Sequence, residues 1–237
     1  MTFPKFTLRW FHVGLSTAAI FVLLAFVTNV PTRLEREDIF AIKAFLNLEK
    51  PPDINNFEDE IRVIQWVQAQ ILNAAPGNEP IPDYQDREPM DLLKTKSGLC
   101  YDRARSLDKA YTWIGFESRH VYIMFADKHS GTGAWPFIRQ ALSFSYSHAV
   151  TEVKTSRGWL MVDSNSPWIS LDNQGFPVSA EDVHIKRSNF QAPPEYIQIP
   201  FWAVPGMYSR RGQFFRPYIP FPEFNWADFL KWAASSE

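Results

Sequence analysis

Apolar side chains recur at helical spacing in three stretches of the chain. In "LEREDIFAIKAFLNL", Ile39, Ile42, Phe45 and Leu46 fall near one face, and in "NNFEDEIRVIQWVQAQILNAAPG" the same pattern passes through Ile61, Ile64, Gln68 and Ile71. Asn56 is placed to accept from a first-turn N–H and so to cap the second of these helices. Gln68 is the polar exception in its stripe, with Val67 beside it to fill the gap, and the Pro and Gly that follow stop the helix near Ala75. A third helix is predicted from the apolar or small residues Cys100, Ala104, Leu107, Tyr111 and Ile114, with Gly115 as its C-cap.

The pattern then changes period. "SRHVYIMF", "SHAVTEVKT" and "RGWLMVDS" are rich in β-branched and aromatic residues and read as strands, the last two joined by a hairpin turn at Ser156 to Gly158. Helices first and an antiparallel sheet afterwards make an α+β fold. The long connection 127–147 has the length of a functional lid or a mobile loop. The stretch 191–237 is dense in Pro and aromatic residues, too apolar for a disordered tail and too Pro-rich for regular structure, so it is expected to pack on the domain.

Residues 11–30 carry no Asp, Glu, Lys or Arg, and about 20 such residues match the hydrocarbon thickness of a bilayer. The run reads as one transmembrane anchor, uncleaved because no small-x-small site follows it. This divides the chain into a cytoplasmic tail (1–10), the anchor (11–30), a domain (33–190) and the C-terminal extension (191–237). Lys5 and Arg9 favour a cytoplasmic tail, against the competing Arg33, Arg36 and Lys43, which puts the domain on the periplasmic or extracellular side of the inner membrane. Lys plus Arg total 24 against 26 for Asp plus Glu, with no dense basic run, so a nucleic-acid partner is not expected.

The chain's single cysteine, Cys100, stands at the head of the third helix, where unpaired N–H groups and the helix dipole favour a thiolate. Alone it reads as a small buried hydrophobe. His148 opens one hairpin strand and Asp163 closes the other, so an antiparallel pairing brings them to the same end of the ladder, where the carboxylate can orient the imidazole toward the thiol. Zinc held by these three residues is disfavoured because close-spaced ligand pairs are missing. His120 reads as structural, His129 and His184 as solvated, and Asp102, Arg103, Arg105 and Asp108 as the solvated or ion-paired face of the Cys100 helix.

Taken together, "SGLCYDRARSLDKAYTWIGFESRHV", "HAVTEV" and "GWLMVDS" resemble the transglutaminase-like superfamily of papain-like cysteine enzymes. The resemblance implies a papain-like core, no cofactor and no metal, with Cys100 as nucleophile, His148 as base and Asp163 as its orienting acid. Ala104, Gly115, Arg119, Glu152, Val153 and Trp159 fall on positions that the family fills similarly. Val150 departs from it, because the family often has an aromatic residue two places after the histidine, which bears on the shape of the acyl pocket. The implied chemistry is a thioester on Cys100 formed from an amide or peptide substrate, followed by hydrolysis or transfer to an amine. The backbone N–H of Cys100 would face the oxyanion, with Gln85 or Tyr84 as a side-chain donor. An envelope protein is a partner class compatible with the anchor. The reading from another class is a catalytically silent binding or scaffold module of an envelope complex, working through the Pro-aromatic extension.

Overall fold

The computed structural model describes residues 13–23, 30, 32–82, 85–125, 147–183, 185–190, 192–199, 201–208, 223–228 and 230. The connection 127–147 falls outside them apart from its last residue, as do His129, His184 and Tyr84. Of the apolar run 11–30, residues 13–23 form a helix, α1, exposed throughout, and among the described residues no helix is long and apolar enough to cross a membrane.

Four helices follow: α2 (Arg36–Leu46), α3 (Phe57–Ala74), α4 (Pro89–Thr95) and α5 (Cys100–Ile114). Their ends are set by local chemistry. Asn56 Oδ1 accepts from the Asp59 N–H at 2.9 Å at the start of α3, as its position suggests. Gly115 closes α5 at φ 109°, where a side chain would be strained, and returns its N–H to Tyr111. Asp102 fixes the other end of α5 by accepting from the Leu99 N–H at 2.9 Å, which places Cys100 in the first turn.

The strands β1 (Ser118–Phe125), β2 (Ser147–Thr155), β3 (Gly158–Asp163) and β4 (Phe201–Pro205) form one antiparallel sheet in the order β3-β2-β1-β4. The helices therefore pack on an antiparallel sheet, an α+β architecture that fits a transglutaminase-like core. Thr155 pairs with Gly158 across the predicted turn, and Thr155 Oγ1 donates to the Gly158 carbonyl at 2.8 Å. A fourth strand was not expected from the Pro-rich C-terminal stretch. β4 exists because it lies at the sheet edge and puts Pro205 at its last position, where a missing N–H costs little. Two short strands, β5 (Met207–Tyr208) and β6 (Glu223–Phe224), pair separately.

The sheet divides two cores. Ile42, Ile64, Ile71, Leu107 and Tyr111 from the helices pack with Val153, Leu160 and Val162 on one face. On the other, Val121, Ile123, Val150 and Met161 are covered by Val178, the helix α6 (Ala180–Val183), Phe190, Ile197 and Ala203. Chain from both sides of residue 190 thus completes this second core. Val150 belongs to it, fully buried and opposite Asp163.

Candidate functional site

Three elements converge where the N-terminus of α5 meets the end of the β2–β3 hairpin. Cys100, half-buried, enters from α5, His148 from the start of β2 and Asp163 from the end of β3. Strand register brings the last two together. Val150 is paired with Asp163, and residues two apart on a strand share a face, so His148 and Asp163 lie diagonally on one side of the sheet.

His148 Nε2 lies 3.5 Å from Asp163 Oδ2, with both side chains almost completely buried. Burial works against a charged imidazole. The side chains of Asp163 and Cys100 beside it outweigh that and raise the His148 pKa to about 9, which favours the charged ring. Burial likewise opposes the charge on Asp163, yet contacts with His148, Tyr196 and the Asn165 N–H hold its carboxyl below the usual range. Asp163 Oδ1 accepts from the N–H groups of Asn165 (2.6 Å) and Ser166 (3.0 Å), a local turn that fixes the carboxylate plane. Its other oxygen accepts from the Tyr196 hydroxyl at 2.5 Å.

A second set of polar contacts holds the elements in place. Gln68 fills no apolar role. Its buried amide Nε2 reaches the carbonyls of Asp163 (2.8 Å), Ser166 (2.9 Å) and Trp168 (2.9 Å), which ties α3 to the turn carrying the acid. Arg103 on α5 bonds the carbonyls of Ala75 (3.1 Å) and Gly77 (2.6 Å) and donates to Asn165 Oδ1 at 2.9 Å in that same turn. Thr151 donates to the Ala104 carbonyl at 2.8 Å and Ser164 to the Ala149 carbonyl at 2.6 Å, which locks β2 to α5 and to the chain after β3.

The expected solvated face of α5 is corrected. Asp102, Arg103 and Asp108 are buried, because Arg87, the Ala75–Gly77 loop, and Ser118 with Tyr208 supply partners inside the fold. Arg105 and Asp102 keep the ion-paired part of the reading, through Glu88 and Arg87. Such partners lie far away in sequence, so helical charges alone could not reveal them. His120 is structural, fully buried and stacked on Tyr208 with ring centroids 4.1 Å apart. Among the family-like positions, Arg119 Nη2 and Nε meet Glu152 Oε2 at 2.7 and 2.8 Å, and the Arg119 guanidinium lies 4.3 Å over Trp159.

Of the two upstream donors, only Gln85 lies among the described residues. Its backbone N–H donates to the Pro82 carbonyl at 3.0 Å, while its buried side-chain oxygen has no hydrogen-bond partner among the described residues. Among the described residues no cluster of three or more His, Cys, Asp or Glu could hold a metal ion. Tyr196 and Gln68 had no motif to announce them. Only the polar break in the α3 stripe hinted at Gln68.

No curated protein matches the chain significantly. Residues 49–164, a span that includes α3, Cys100, His148 and Asp163 and ends at Ser164, match the family model of the transglutaminase-like superfamily, which in general comprises papain-like cysteine enzymes.

Proposed function

We propose that this chain is a cysteine-dependent amide or peptide-bond hydrolase or acyl transferase that works through a thioester on Cys100. One observation carries the reading: the His148 imidazole lies 3.5 Å from Asp163 and has the Cys100 side chain as a hydrogen-bond partner, at the head of a 15-residue helix. A cysteine at a helix head beside a histidine that a carboxylate orients is the arrangement of a nucleophile and its base.

In the proposed cycle the Cys100 sulfur attacks the amide carbonyl carbon. Because Nε2 faces Asp163, Nδ1 is the nitrogen that serves the sulfur and then gives its proton to the departing amine as the C–N bond breaks. The neutral imidazole next takes a proton from water, and the resulting oxygen nucleophile cleaves the thioester, freeing the acid and the thiol. Hydrolysis is preferred to amine transfer because water needs no acceptor site. The Cys100 N–H and the Gln85 side-chain Nε2 are the proposed oxyanion donors.

The apolar run 11–30 supports a single-pass anchor in the inner membrane, and the positive tail before it supports a domain on the periplasmic side, facing cell-envelope amides. A reporter active only in the cytoplasm, fused after Glu237, is expected to stay silent. Activity in that fusion reverses the orientation. The enzyme reading is tested by a thiol-directed acyl probe near neutral pH, which should label Cys100 in the native chain and much more slowly in His148→Ala. Equal labelling of the two sinks the activated-thiol reading.

A further inference from the structure

Beyond residue 164, where the family match ends, the chain crosses the second face of the sheet and places a short 3-10 turn, Glu195–Gln198, beside the site. Tyr196 in that turn makes two separate contacts. Its hydroxyl donates to Asp163 Oδ2 at 2.5 Å, the oxygen that also faces His148 Nε2 at the longer distance of 3.5 Å. Its ring lies 4.6 Å from the His148 ring, centroid to centroid, tilted by 55°.

We propose that Tyr196 is a positioning residue of the Cys100–His148 pair, acting through Asp163 Oδ2 with its hydroxyl and against the imidazole with its ring. This rests on the cysteine-enzyme reading above. The carboxylate is then held at both oxygens: by the turn N–H groups of Asn165 and Ser166 at Oδ1 and by Tyr196 at Oδ2. It cannot rotate away from the imidazole without losing short hydrogen bonds.

The shared oxygen has a further consequence. A hydroxyl that donates to a carboxylate draws charge from it, so Tyr196 weakens the hold of Asp163 on the His148 proton. Among the described residues, the titratable groups that face His148 are Cys100 from α5, Asp163 from β3 and Tyr196 from the C-terminal segment. Ile197 next to Tyr196 is fully buried in the second core, and Phe125 meets the tyrosine ring edge-on at 6.0 Å. The tyrosine is therefore carried by packed chain, and sequence outside the matched segment sets the orientation and proton affinity of the site.

The test uses the full chain and two variants, Tyr196→Phe, which keeps the ring, and Tyr196→Leu, which removes it. Three measurements are made: the His148 titration by NMR, the rate of Cys100 alkylation by iodoacetamide across pH, and the thermal midpoint. In Tyr196→Phe the His148 titration is expected to move up by about half a pH unit or more with little change in midpoint. Tyr196→Leu should slow alkylation at pH 7 about tenfold or more.

An unchanged His148 titration in Tyr196→Phe overturns the assignment, whether or not the leucine variant folds. His148→Ala separates the two levels. If it slows alkylation while Tyr196→Phe titrates like the native chain, only the role of Tyr196 fails. If it alkylates at the native rate, the activated-thiol reading fails and the role of Tyr196 with it.

Discussion

The side-chain amide of Gln68 donates to the main-chain oxygen of Asp163 at 2.8 Å, across 95 residues of sequence. The same nitrogen lies 2.9 Å from the Ser166 and Trp168 carbonyls, so two N–H groups are shared among three acceptors of the turn that presents the acid. Gln68→Leu takes this donor away from the Asp163 and Ser166 carbonyls, whereas the Trp168 carbonyl keeps the Asp163 N–H at 3.1 Å. At about 1–3 kcal/mol for a buried polar group left unsatisfied, the variant is expected to lose roughly 2–4 kcal/mol in urea unfolding. Acyl-probe labelling of Cys100 should slow with it. A variant as stable as the native chain would show that the turn holds itself.

The raised pKa of His148 predicts how stability depends on pH. Burial opposes the imidazolium, but Asp163 and Cys100 lift its folded value to about 9 from an ordinary 6.5. Its contribution is therefore fully present below pH 6.5 and lost as the pH rises through about 9. Subtracting the stability–pH curve of His148→Gln from the native one should give a plateau below about pH 6.5 and a fall above it. A difference curve that is flat into the alkaline range would contradict the charged pair.

Asp108 carries a similar sign at lower pH. Burial raises its folded pKa to about 6 from 3.8, against the hydrogen bonds from Ser118 and Tyr208. The fold holds the proton better than the unfolded chain, so this contribution is full below pH 3.8 and lost as the pH rises through about 6. Asp108→Asn removes that titration. Relative to the native chain it should gain stability between about pH 4 and 6, by roughly 2–3 kcal/mol at most. The check is paired thermal unfolding of the two proteins across that range.

Arg87 and Asp102 form a buried ion pair at 3.3 Å, with side chains 4% and 0% exposed. Arg87 also bonds the Ile81 carbonyl at 2.9 Å and the Tyr101 hydroxyl. Arg87→Met strands the carboxylate that fixes the start of α5, a loss of about 3–5 kcal/mol for breaking a buried pair from one side. Adding Asp102→Asn removes the stranded charge while leaving an oxygen to accept from the Leu99 N–H. The double variant is expected to be more stable than Arg87→Met alone, measured by denaturant midpoint.

What the sequence determined by itself is local. Asn56, Gly115 and the Ser156–Gly158 turn mark ends of elements because capping and turn geometry depend on a few neighbouring residues, and α3, α5 and the β2–β3 hairpin follow from them. The meeting of His148 with Asp163 was legible too, since a hairpin turn dictates its own register. Only the tertiary structure decided which polar groups face inward. Asp102, Arg103 and Asp108 look solvated on a helical wheel, and their burial depends on partners delivered by other elements. Pro205 argued against regular structure until an edge position made its missing N–H harmless. Tyr196 reaches Asp163 across 33 residues because packing of the second core carries it there, and nothing in local propensity encodes such a contact.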